Sequence, residues 1–172
     1  MPGNINKKNL GIPSATIAVS ALMLMVPMLA AAQSAHFIGT PTVDKSISGT
    51  TATLTTSGKV AGLGSAPTQV FLTTSGVTAE TACTNKGGNN PPGQEATFGP
   101  TQGQTATIQP RNGQVTFHNA APLSITVTAE QAGCPDSQTP SITSATFSNV
   151  VLHIVQNGQE VLSFNFDTVV VP

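Results

Sequence analysis

The run Leu123-Ser-Ile-Thr-Val-Thr-Ala129 alternates apolar and polar residues without a break. That is the period of a β-strand with one buried face. The same period returns at Thr51–Thr56, at Val70–Thr74, and from Val77 onward, and no helical period follows the first thirty or so residues. Such a chain has to fold as β-structure, because a register slip of one residue would turn every apolar side chain outward. Gly, Pro, Asn and Ser punctuate the pattern every ten residues or so. Seven to nine short strands are expected, as an all-β, single antiparallel β-sandwich of immunoglobulin-like general layout. A small closed barrel is the alternative that a strand count leaves open.

The strands can be placed in order. A short one spans His36–Ile47, broken at Pro41. Thr51–Thr56 is closed by Ser57-Gly58, and Val70–Thr74 by Ser75-Gly76. Val77, Ala79, Thr81 and Cys83 then share one face, so Cys83 points toward the core, with Thr78, Glu80 and Ala82 opposite. Pro91-Pro92 excludes a ladder strand where it falls. Thr105–Gln109 and Gln114–His118 follow, with Ala106, Ile108, Val115 and Phe117 inward, joined through Pro110-Arg-Asn-Gly113. At the C-terminus, Val150–Val155 and Glu160–Phe166 flank the hairpin dipeptide Asn157-Gly158. A three-residue loop, Gln156–Gly158, would set Val150 opposite Phe164 and Leu152 opposite Leu162. That register collects one apolar face and turns His153 to the other side, beside Val161, so it is preferred to a two-residue loop.

Residues 1–32 have the form of a signal peptide. Lys7 and Lys8 supply the positive start, Ile17–Leu29 the apolar run, and Ala30–Ala32 the small residues for cleavage. The run is shorter than the ~20 apolar residues that span a bilayer. Residues 33–172 would then form one secreted, extracellular domain with no membrane span. All four Met residues lie in the leader, and the chain has no Trp or Tyr. Lys45, Lys59, Lys86 and Arg111 face seven acidic residues across the remainder. Nucleic acid, which demands clustered Lys and Arg, is thereby excluded as a partner.

Two cysteines in an exported chain form one disulfide, Cys83–Cys134. The bond would fasten the base of Cys83-Thr-Asn-Lys-Gly-Gly-Asn-Asn-Pro-Pro-Gly-Gln94, the densest turn cluster in the chain. Ordered loops on a rigid scaffold are where binding residues concentrate. Asn85, Lys86, Gly87, Gly88, Asn89, Asn90, Pro91 and Pro92 are therefore the candidate interaction loop. The competing reading makes it a pinned crossover whose turn residues serve geometry alone.

Catalytic chemistry finds little support. No Gly-x-Ser-x-Gly elbow occurs, and no cofactor is implied. His36, His118 and His153 are weak metal candidates. A blue-copper centre would want an axial Met and a free Cys. Cleavage after Ala35 would expose His36 as the N-terminal residue, and a copper-binding histidine brace is the one enzymatic exception. The acidic residues are dispersed, without the clustered oxygens of a calcium loop. Sugar platforms usually need Trp or Tyr.

The segment Cys83–Gly93 resembles a Cys-x-Asn-x-Gly-Gly-Asn-x-x-Pro-Gly motif found in a group of uncharacterised short secreted bacterial β-proteins. Gly62–Gly64, Asn112–Phe117 and Cys134-Pro135 are similar as well, although Asp136–Thr139 stand where that group often has Trp. The resemblance implies a secreted, disulfide-bearing β-domain and no particular substrate. The sequence thus leads to a non-enzymatic structural or interaction protein outside the cell, with an unknown protein or cell-surface partner. A small glycan- or metal-binding module is the alternative. Thr-rich edge strands also offer a route to self-association.

Overall fold

The computed structural model describes residues 34–172, so the leader assigned to residues 1–32 lies outside the described residues. Eleven strand segments follow in order: β1 (His36–Phe37), β2 (Thr42–Ser48), β3 (Thr51–Ala61), β4 (Thr68–Thr74), β5 (Gly76–Thr84), β6 (Ala96–Phe98), β7 (Thr101–Gln102), β8 (Ala106–Ile108), β9 (Val115–Thr126), β10 (Thr139–Gln156) and β11 (Gln159–Val171). Every pairing is antiparallel.

Several segments are pieces of one row. Val60 lies opposite Phe37 on one side and Val115 on the other, and Thr51 opposite Ser48 and Thr126. So β1 and β2 share one edge of β3, and β9 takes the other. In the second sheet, Leu152 meets Leu72 and Phe164, and Ala145 meets Ala79 and Val171. Hence β4 and β5 form one line along β10, and β11 lies on its far side. The short β6, β7 and β8 make the row outside β5 and β4. Counted by rows, the first, second and fifth form one sheet. The fourth, third, sixth and seventh form the other. Three rows against four, in that order, is an immunoglobulin-like sandwich.

The alternation explains the core. Ala52, Leu54 and Val60 of β3 meet Val70, Leu72, Ala79, Leu152 and Ile154 of the other sheet in one buried cluster around Phe147. The opposite parity of β3 carries Thr51 and Thr53. Their hydroxyls pair across the strands with Thr126 at 3.0 Å and Ser124 at 2.8 Å. Threonine is thus spent on an outer sheet face, where cross-strand hydroxyl pairs suit its branched side chain.

The structure corrects four expectations. Ser57-Gly58 does not end β3. A Cβ on Gly58 would lie 2.8 Å from Phe117 Cζ, so the glycine lets that ring close over the strand. Ser75-Gly76 is not a turn either. The Ser75 amide and the Thr74 hydroxyl both donate to Ser148 O, at 3.0 and 2.7 Å, and the β4–β5 line continues past them. Gln114–His118 and Leu123–Ala129 are not two strands. Most of both belongs to β9, which runs through positive-φ Asn119 and Ala121.

No ladder strand forms at Pro91-Pro92, as expected, although Pro92 makes an isolated bridge with Ala82. It can do so because the segment is an edge that supplies carbonyls: Pro91 O accepts from Cys83 N at 2.9 Å. The C-terminal hairpin has a two-residue loop. Gln156 pairs with Gln159, and Asn157 and Gly158 take φ of 54° and 73°. An extra residue, Val161, then bulges out, so Ile154 meets Leu162 and Leu152 meets Phe164. The bulge collects the apolar face that the longer loop was invoked to make. It also places His153 opposite Ser163 rather than beside Val161.

Candidate functional site

The Cys83–Cys134 bond is present, with Cα atoms 5.5 Å apart. Cys83 ends the inward parity of β5, and both cysteines are buried. The segment around Cys134 is folded back by turns, with Cys134 N donating to Ala129 O and Gln94 N to Ala132 O. The bond and these contacts fix both ends of the loop.

Within the loop the residues divide by role. Asn85 is structural. Its side-chain oxygen accepts from the amides of Gly87 at 2.9 Å and Asn89 at 3.1 Å, and its backbone closes on Asn89 O and Gly88 N. Gly88 takes φ +80°, a conformation glycine adopts without strain. Asn90 accepts from the Thr84 hydroxyl at 2.6 Å, and Pro91 and Pro92 lie along the edge of β5. Lys86 and Asn89 are exposed at the tip, and neither side chain contributes a hydrogen bond to the fold. The candidate residues are therefore together, but only some are available to a partner.

Beside the loop lies a groove of about 400 Å³ on the outer face of the larger sheet. Glu80, Ala82, Thr143, Asn90, Pro92 and Glu95 line it. It exists because two irregularities flank Glu80. On β10, Ile142 pairs with Thr81 and Ser144 with Glu80, leaving Thr143 as an extra residue. On the edge, Gly93 N bonds Thr81 O and Ala96 pairs with Ala79, so Gln94 and Glu95 stand against Glu80 alone. Bulges on both sides of one residue bend an otherwise even sheet into a hollow. Glu80 accepts from Ser144 at 3.0 Å. The outward parity of Glu80 was readable in the alternation. The bulges that make a groove around it carry no signal in residue type.

The three histidines are not brought together. His36 sits on β1, with Nδ1 against Ser34 O at 2.8 Å, and His118 is exposed on β9. His153 lies on the larger sheet, stacked on Phe71 with ring centroids 4.9 Å apart. Its Nδ1 meets Glu160 Oε2 and its Nε2 lies 2.9 Å from Thr73 Oγ1. An ionised carboxylate only accepts, so Nδ1 carries the hydrogen, and in the neutral imidazole Nε2 then accepts from the threonine hydroxyl. The order carboxylate, imidazole, hydroxyl matches a hydrolase triad. However, Thr73 is in mid-strand, paired with Val151 on one side and Gln102 on the other. The neighbouring amides are thus committed to ladders rather than to an oxyanion pocket. Among the described residues, no group of three or more His, Cys, Asp or Glu side chains could hold a metal ion. Among the same residues, no helix is long and apolar enough to cross a membrane.

No protein-family model and no curated protein matches the chain. Among solved structures it is similar to a Bordetella pertussis chain given the name ApaA, at 12% identity and a TM-score of 0.29. The match covers 81% of this chain and 94% of that one. A likeness of that size carries no argument about fold or function, so what can be said of this chain rests on its own geometry.

Proposed function

We propose that this chain is an exported, non-enzymatic interaction protein that presents the loop Asn85–Pro92 to a partner outside the cell. One observation carries the reading. The loop is fastened by a disulfide and by Asn85, while Lys86 and Asn89 stay exposed at its tip with no role inside the fold. A rigid base lowers the ordering cost of binding, because the recognition residues are already in place. An oxidising compartment suits the disulfide.

The test is chemical cross-linking of the protein in medium from its native source. Wild type is compared with the pair Lys86→Ala and Asn89→Ala. Loss of the cross-linked partner with an unchanged melting temperature supports the reading. Equal capture by both proteins would overturn the assignment to the loop tip. N-terminal sequencing of the protein recovered from the medium tests export, and a chain that never leaves the cell would reject it.

A further inference from the structure

The sandwich has two poles of different charge. At one lie the pinned loop and the disulfide segment, with Glu80, Glu95, Glu130 and Asp136 against Lys86 among the described residues. At the other, the β3–β4 loop, the β8–β9 turn and the β10–β11 turn come together. There Lys59 and Arg111 line a second hollow of about 270 Å³, with Ile108 and Gln114. Arg111 belongs to a tight turn, where it is exposed. It pairs with Gln114, and Asn112 and Gly113 take φ of 51° and 71°. The poles are well separated, because Thr68 and Glu80 lie twelve residues apart on the β4–β5 line, roughly 40 Å at the rise of a strand.

We propose that the groove between Glu80 and Glu95 receives the Arg111 turn of a second copy of this chain, so that copies join head to tail. The proposal goes beyond the loop's role: it concerns the groove beside the loop, with a second copy as its occupant. The fit is one of charge and shape. A guanidinium presents a planar fork of donors to carboxylates, and the groove is lined by two carboxylates, with Ala82 and Pro92 paired beside them. Arg111 is exposed on a tight turn, and Glu80 lies in a hollow made by paired bulges. Lys59 extends the positive surface behind Arg111. The contact uses different surfaces at opposite poles, so a chain of copies keeps one free end of each kind and can add further copies.

Sedimentation of three proteins decides the matter. Wild type should associate with rising concentration at about 0.05 M salt and dissociate, at least about tenfold more weakly bound, near 0.5 M. Glu80→Lys with Glu95→Lys keeps only the basic pole, and Lys59→Glu with Arg111→Glu keeps only the acidic one. Each should be monomeric alone. Their equimolar mixture should give a one-to-one dimer that grows no further, because a single complementary pair of poles remains. Wild type that stays monomeric at low salt would overturn the proposal. So would a mixture that stays monomeric, or association persisting in both variants. Thermal melts check folding. Where the charge reversal at Glu80 and Glu95 does not fold, Glu80→Gln with Glu95→Gln carries the same comparison. Cross-linking through Lys86 and Asn89 is read separately, so loss of self-association leaves the loop's role standing and loss of the loop's partner leaves self-association standing.

Discussion

A buried side-chain amide helps hold the loop between β3 and β4. Gln156 is 4% exposed. Its side-chain oxygen accepts from Gly64 N at 3.0 Å, and its NH2 donates to Ala66 O at 2.7 Å and Gly64 O at 3.2 Å. Nothing in the alternation marks it, since a Gln before Asn-Gly reads as part of a turn. Gln156→Leu keeps the volume and strands the Gly64 amide and the Ala66 carbonyl. The expected loss is about 2–6 kcal/mol in denaturant unfolding, from two groups left unpaired at ~1–3 kcal/mol each. A loss below about 0.5 kcal/mol, the size of an ordinary surface substitution, would mean that water replaces the amide without cost.

Glycine inside a strand has a different meaning at the level of the element. Gly58 reads as a stop in sequence, yet β3 continues through it because Phe117 Cζ occupies the place of a Cβ. Gly58→Ala should cost about 1–3 kcal/mol by overpacking. Phe117→Leu should recover part of that in the double variant, and a double-mutant cycle of equilibrium unfolding measures the coupling. Two additive single effects would show that the ring and the glycine do not communicate. The same residues show what was legible. Alternation gave the faces of β5 and β9 and the inward aim of Cys83, and the count of two cysteines gave the bond to Cys134. Strand ends were not legible at Ser57-Gly58 or Ser75-Gly76, because a Gly that admits a neighbouring ring and a Ser that bonds Ser148 across the sheet look locally like turns. The hairpin register failed for a related reason. Val161 and Thr143 are ordinary strand residues, and only their partners decide that they bulge. The candidate loop was visible as a cluster of Gly, Asn and Pro, whereas the groove beside it depends on those bulges and was not.

Across the whole molecule the disulfide joins the third row to the connection between the fifth and sixth, a sequence separation of 51. Loop-closure entropy for that length is about 4 kcal/mol. Reduction, or Cys83→Ala with Cys134→Ala, should lower unfolding stability by up to that amount, read as a shift in the denaturant midpoint at constant slope. An unchanged midpoint would mean that the unfolded chain is already compact there. The two described ends of the chain lie toward opposite poles: His36 pairs with Ala61, near the Arg111 turn, and Val171 with Ala145, toward the loop. A tether pulled from those ends would load β2 and β11, which run side by side and are linked by Lys45 Nζ on Val170 O at 2.9 Å. The cross-link then acts as a stop. About fifty residues between the cysteines cannot pay out under tension, which withholds roughly 170 Å of contour length. Single-molecule extension should lengthen by that step when reductant is added, and an oxidised domain should behave as a short, stiff link that yields only partway.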